Sequence, residues 1–179
     1  MKTVRLLALR ALPAAALFAA LHLSPAWATD YEDVEALLQA GNPAAALAKA
    51  NTFLESRPRD PQMRFLKGTL LSELGQRAEA IATLQQLTQD YPSLAEPFNN
   101  LAVLQAAEGQ WSSALASLES AVRLNPSYAT AYENLGNVYI QLARASYARG
   151  ADLDPGNAAL RAKLERAKAI AEATGAARR

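Results

Sequence analysis

Three kinds of residue recur together every 34 positions, and this period limits the chain more than any other feature. Pro58, Pro92 and Pro126 are spaced by 34, as are Gly41, Gly75 and Gly109, and as are Ala46, Ala80 and Ala114. A fixed period of this size marks stacked supersecondary units, none of which can bury its apolar face alone. The punctuation defines one unit. From Pro61 to Leu74 the apolar residues Met63, Phe65, Leu66, Leu70, Leu71 and Leu74 keep helical spacing, and Gly75 ends that helix where a left-handed backbone costs least. A second helix carries Ala80, Ile81, Leu84 and Leu87, and Pro92 stops it by forcing Tyr91 out of the helical region. In the first unit the turn reads Gly41-Asn42-Pro43: a terminator, a capping carboxamide and a proline at the first helical position. The alanine at 46, 80 and 114 predicts a close helix crossing. The expected fold is therefore all-α, built from antiparallel helix pairs.

These residues resemble the tetratricopeptide repeat. The segment Ala95 to Tyr128 matches its pattern best, with Phe98 in the place of the family's tryptophan and Leu101, Ala102, Gly109, Trp111, Ala114, Leu118, Ala121 and Pro126 on other signature positions. The unit 61–94 matches at Gly68, Leu71, Gly75, Ala80, Leu84 and Pro92 but places Arg64 and Lys67 at positions that are usually apolar. A weaker unit spans about 27–60. The resemblance implies a right-handed superhelical α-solenoid.

The fourth unit, 129–155, is shortened. Pro155 arrives five residues early, and the stretch between Leu142 and Tyr147 has no glycine, asparagine or proline for a turn. Tyr132, Gly136, Tyr139, Ala143, Tyr147 and Gly150 keep a three-to-four spacing straight through. One helix from about Ala129 to Asp152 is expected, with a compressed hairpin as the alternative. The second half of a continuous helix would project, and residues 143–154 could then pair with another copy. After Pro155-Gly156-Asn157, residues 156–179 read as an amphipathic capping helix with a frayed tail from Gly175.

The first 28 residues read as an address. Lys2, Arg5 and Arg10 precede an apolar run from Leu12 to Leu23, then Ser24, Pro25 and Ala26-Trp27-Ala28. A basic front, a short apolar stretch and small residues at −3 and −1 describe a secretory signal peptide. The run is shorter than the roughly 20 apolar residues that span a bilayer. Cleavage after Ala28 is expected, giving a periplasmic or secreted chain with no membrane span. It would leave 15 basic against 17 acidic residues, a net charge of −2, so neither nucleic acid nor anionic lipid is an expected partner.

Catalysis is not expected. The sole histidine, His22, lies in the leader, so no Ser-His-Asp relay can form after cleavage, and there is no cysteine. Glu32, Asp33 and Glu35, like Glu165 and Glu172, read as solvated helix faces, and Asp152-x-Asp154 lacks the further ligands of a calcium loop. No catalytic residue, metal or cofactor is assigned. Binding is the leading function, with a protein or peptide as partner and a role in cell-envelope assembly.

In the family, the first helix of each unit faces a concave groove. The resemblance places Tyr31, Phe65, Asn99 and Glu133 at one groove position, and Glu32, Leu66, Asn100 and Asn134 at the next. Glu35, Thr69, Val103 and Asn137 follow, then Leu38, Ser72, Ala106 and Ile140. Phe65 and Val103 are candidate apolar anchors. Asn99, Asn100, Asn134 and Asn137 could pair with both N–H and C=O of an extended peptide, or could be ordinary polar surface. No basic residue falls on these positions, and Glu35, Glu73, Glu96 and Glu133 make the groove acidic. A neutral or basic ligand is expected. The alternative is a structural or oligomerising subunit that makes contact through the shortened fourth repeat.

Overall fold

A computed structural model describes residues 26–176 of the chain. Ala26 to Ala28 are the only part of the expected leader among the described residues, and residues 177–179 of the expected tail also lie outside them. The structure is a helical repeat solenoid of α1 (Ala26–Gln39), α2 (Pro43–Ser56), α3 (Pro61–Glu73), α4 (Arg77–Asp90), α5 (Ala95–Ala107), α6 (Trp111–Leu124), α7 (Ala129–Leu153) and α8 (Ala158–Ala176). The last helix runs two residues into the stretch expected to fray.

The first three hairpin turns are copies of one another. Gly41, Gly75 and Gly109 have φ of +73°, +73° and +72°, the left-handed region where a side chain is strained. After each glycine the next N–H reaches back to a carbonyl five residues earlier: Asn42 to Leu37, Gln76 to Leu71 and Gln110 to Gln105, each at 2.9 Å. These bonds satisfy carbonyls that a helix end otherwise leaves unpaired. Asn42 Oδ1 then accepts from the Ala45 N–H at 3.1 Å, with Pro43 opening α2. Asp60 caps α3 by accepting from Met63 N–H at 2.8 Å.

Ala46, Ala80 and Ala114 are fully buried, as close crossings require. Gly68 is as tight: a Cβ there would come within 2.8 Å of Leu84. The core forms three successive clusters, one around Val34, Ala50 and Met63, one around Leu71, Leu84 and Leu101, and one around Ala102, Leu118 and Val138. Each helix packs on its neighbours in sequence, and α3 also touches α5, as α5 touches α7. The first helices of successive units thus line one side.

Arg64, out of pattern in the sequence, is explained by its partner. Its guanidinium donates to the Asp90 carboxylate across the α3–α4 hairpin at 2.6 Å. This bond, with a second from Gln86, holds the Asp90 carboxyl below the usual range.

Residues 129–153 form one uninterrupted helix of 25 residues, so the continuous reading holds and the compressed hairpin does not. Where a turn would fall, Ser146 Oγ simply donates back to the Leu142 carbonyl at 2.9 Å. Helix α8 returns antiparallel along α7: Leu160 lies against Gly150, and Ile170 lies near Ile140. Ala167 and Ala171 are its buried residues. No helix among the described residues is long and apolar enough to cross a membrane.

Candidate functional site

The face formed by α3, α5 and α7 holds two cavities on either side of Val103. The larger, about 230 Å³, lies between α5 and α7 and is mostly apolar, with Val103, Ala106, Trp111 and Val138 in its wall and Asn134, Asn137 and Gln141 as its polar groups. Ala171, from α8, closes its far side. The smaller, about 190 Å³, lies between α3 and α5 and takes in Thr69, Ser72, Glu73, Asn100 and Val103. Val103 is 40% exposed on the ridge between them. Together they make a slot across three units, with apolar pits and a few polar groups on the rim, as recognition sites commonly have.

Of the residues expected to bind, Val103, Asn134 and Asn137 come together at the larger cavity, and Asn100 faces the smaller. Phe65 is placed elsewhere. Half-buried, it packs on the cluster of Leu71, Ala80 and Leu84 and lines neither cavity. Asn99 and Asn134 differ from free peptide readers, because both are buried and Asn134 Nδ2 donates to Asn99 Oδ1 at 2.9 Å. Asn99 in turn donates from Nδ2 to Asn100 Oδ1 at 3.2 Å. This ladder ties α5 to α7 under the groove, since a buried carboxamide must find partners. Asn100 keeps its Nδ2, and Asn137 is half-buried at the cavity rim. Tyr128, beside the ladder, has its pKa pushed up by burial and by the charge of Glu96, with a bond from Asn99 pulling it back.

Gln141 was not among the residues expected to bind. Its Oε1 is shielded from solvent with no hydrogen-bond partner, a state that costs about 1–3 kcal/mol. Its position on the groove side of the fourth unit was the available signal, and in the structure it shares the wall of the larger cavity with Ala171 of α8, whose placement the repeat pattern does not fix.

Charge at the site is one-sided. Glu73 is at the smaller cavity, and no lysine or arginine lines either one. At the N-terminal end of the array the Tyr31 hydroxyl donates to Asp60 at 2.6 Å. Burial, then this bond and the Asp60 charge, push its pKa up to about 12. Glu32, Asp33 and Glu35 are exposed, with Asp33 paired to Lys49 at 2.6 Å. Among the described residues no three histidine, aspartate or glutamate side chains cluster as metal ligands.

An array of helix hairpins with a groove on the side of the first helices defines a repeat scaffold of the protein-interaction class. A tetratricopeptide repeat model matches residues 31–95 and a TPR repeat model matches 106–142, together more than half of the chain. The chain belongs to the tetratricopeptide repeat proteins. No curated protein matches it. Among solved structures it is similar to MamA from Desulfovibrio magneticus RS-1, at 21% identity over 83% of this chain and 88% of that one, TM-score 0.60. It is similar to YrrB, described as a TPR protein with an unusual peptide-binding site, at 26% identity over 58% of this chain and 54% of that one, TM-score 0.55. The first TPR of Spaghetti (RPAP3), bound to the HSP90 peptide SRMEEVD, shares 16% identity over 65% of this chain and 92% of that one, TM-score 0.62.

Proposed function

We propose that the chain is an exported, non-catalytic adaptor that holds an extended segment of a partner protein along the α3–α5–α7 groove, in cell-envelope assembly. The observation that carries this reading is the pair of cavities flanking Val103, rimmed by Asn100 and Asn137. An apolar side chain of the ligand enters the larger cavity, and the two carboxamides take main-chain groups beside it. A ligand N–H reaching Gln141 would remove the penalty on its Oε1. The RPAP3 domain is seen with an acidic peptide, whereas this groove has Glu73 and no basic lining, so the fitting ligand is neutral or basic.

Export is proposed from the leader, with a periplasmic or secreted chain beginning at Thr29. Cleavage there removes three residues of α1 and keeps Val34, Leu37 and Leu38, which pack into the first cluster. Protein recovered from the envelope fraction should begin at Thr29, and an intact Met1 would overturn the export reading. For the groove, partners captured from that fraction identify the ligand. Asn100→Ala with Asn137→Ala should then weaken it about 5- to 150-fold, the effect of losing one or two hydrogen bonds. Unchanged affinity in a folded variant would sink the groove as the site.

A further inference from the structure

Helix α7 carries a face that the repeat covers elsewhere and that is bare here. In the second unit Gly68 lies under Leu84 of α4. In the third, Ala102 is fully buried and Gln105 accepts a hydrogen bond from Ser117 of α6 at 2.8 Å. The same positions in the fourth unit are Gly136 and Tyr139, with Tyr132 in the place of Phe98. A Cβ on Gly136 would meet nothing within 4 Å, and Tyr132 and Tyr139 are each 49% exposed. Helix α8 does not fill this gap, because it lies along Ile140, Ala143, Tyr147 and Gly150 instead.

The helix that would cover the face is present in the sequence. Ala114, Ser117, Leu124 and Pro126 recur 29 residues later as Ala143, Ser146, Leu153 and Pro155, with Tyr147 in the place of Leu118. Residues 143–153 are thus a second-helix sequence fused to its own first helix without a turn. As the far half of one straight helix they point away from the face they match and cannot fold onto it.

We infer that the same segment of a second copy covers the face, two α7 helices pairing antiparallel about a two-fold axis near Leu142. The pairings inside the earlier units set the register. Arg64 with Asp90, Gly68 with Leu84 and Gln105 with Ser117 become Tyr132 with Leu153, Gly136 with Tyr147 and Tyr139 with Ser146 of the second copy. All three fall within two residues of a single antiparallel alignment, so one helix pair makes each contact twice. Leu153, 72% exposed, is matched with exposed Tyr132, which removes apolar surface from water on both sides. The 25 residues of α7 span about 37 Å. Covering half the girth of a helix about 11 Å across buries roughly 600 Å² per copy. The total, about 1,200 Å², stands at the lower edge of specific interfaces, the size range of weak, reversible pairs. Closed two-fold pairs are the commonest assembly of identical chains. This inference rests on α7 alone and stands or falls apart from the groove.

Sedimentation of the purified chain from about 5 to 300 µM tests it, with a doubling of mass expected across the range. Gly136→Leu should stay monomeric with unchanged helicity, because the new side chain enters open space in the monomer and the place of Tyr147 in the dimer. The chain has no cysteine, so Tyr139→Cys with Ser146→Cys should form a covalent dimer on oxidation and Tyr139→Cys alone should not. A chain that is monomeric throughout and uncross-linked would overturn the proposal. So would dimerisation of Gly136→Leu at wild-type strength, or cross-linking by Tyr139→Cys alone.

Discussion

Gly68 and Gly136 occupy the same place in two repeats, and replacing each with alanine separates packing from helix propensity. Alanine gains about 1 kcal/mol over glycine inside a helix, and that gain is common to both sites. At Gly136 nothing opposes it, since a Cβ meets no atom within 4 Å. At Gly68 the Cβ would lie 2.8 Å from Leu84 Cδ2 and 2.9 Å from its Cγ, and Leu84 is 1% exposed. Leu84 must shift inside a packed core, which costs about 1–3 kcal/mol. Gly136→Ala should therefore be about 1 kcal/mol more stable than wild type, and Gly68→Ala unchanged or up to about 2 kcal/mol less stable. At about 2–4 °C per kcal/mol for a chain of this size, the two melting temperatures should differ by about 2–12 °C. Dilute protein, below the range of self-association, followed by circular dichroism is the assay. In a Leu84→Ala background the two substitutions should converge, because the clash is gone. If both variants shift Tm equally in the wild-type background, the contact between α3 and α4 is not where the structure puts it.

Ala114→Leu should lower stability by about 1–3 kcal/mol while exposed Ser113→Leu changes it little, and equal effects in urea titrations would mean the repeat register is misplaced. Asn134→Ala should cost about 1–3 kcal/mol by stranding Asn99, whereas Asn137→Ala should stay within about 0.5 kcal/mol, both read from urea midpoints. Tyr31 is raised to about 12, so its contribution is fully present below the ordinary tyrosine pKa near 10 and is lost as pH rises from about 10 to 12. Tyr128 is raised as well, so an absorbance titration should show a late step that loses one tyrosine's amplitude in Tyr31→Phe; unchanged amplitude would overturn the assignment to Tyr31.

The parts of the fold that local chemistry decides were legible in the sequence. Gly41, Gly75 and Gly109 announce their turns because one backbone conformation requires them, and the lack of any such residue after Leu142 announces a helix that does not turn. What escaped depends on side chains far apart in sequence. Arg64 looked like a departure from pattern until Asp90, on the facing helix, supplied its partner. Asn99 and Asn134, 35 residues apart, lie at groove positions, but the approach of α5 to α7 lets them bond to each other. Phe65 reads as a groove anchor by register, yet it packs onto the second core cluster. Gln141 could not be singled out, because the lack of a partner for its Oε1 is set by the surrounding tertiary packing and not by its place in the repeat.

One five-residue deficit accounts for both unusual surfaces of the fourth unit. Because α7 runs straight on, α8 returns along its groove side, and Ala171 becomes the far wall of the larger cavity. For the same reason Tyr132, Gly136 and Tyr139 are left uncovered. Restoring the period should reverse both effects together. Residues 109–113 close the turn of the third unit and open α6, and a copy of them placed between Leu142 and Ala143 brings Pro155 back to its 34-residue position. The second helix can then fold onto its own first helix, with Tyr147 over Gly136 and Leu153 against Tyr132. Hydrogen exchange at residues 132–139 should slow, the concentration-dependent doubling of mass should vanish, and α8 should leave the cavity. Loss of that wall should weaken the captured partner even though Val103, Asn100 and Asn137 are untouched. Persistent dimerisation after the insertion would refute the coupling, since it would show that the pairing surface does not depend on the missing turn.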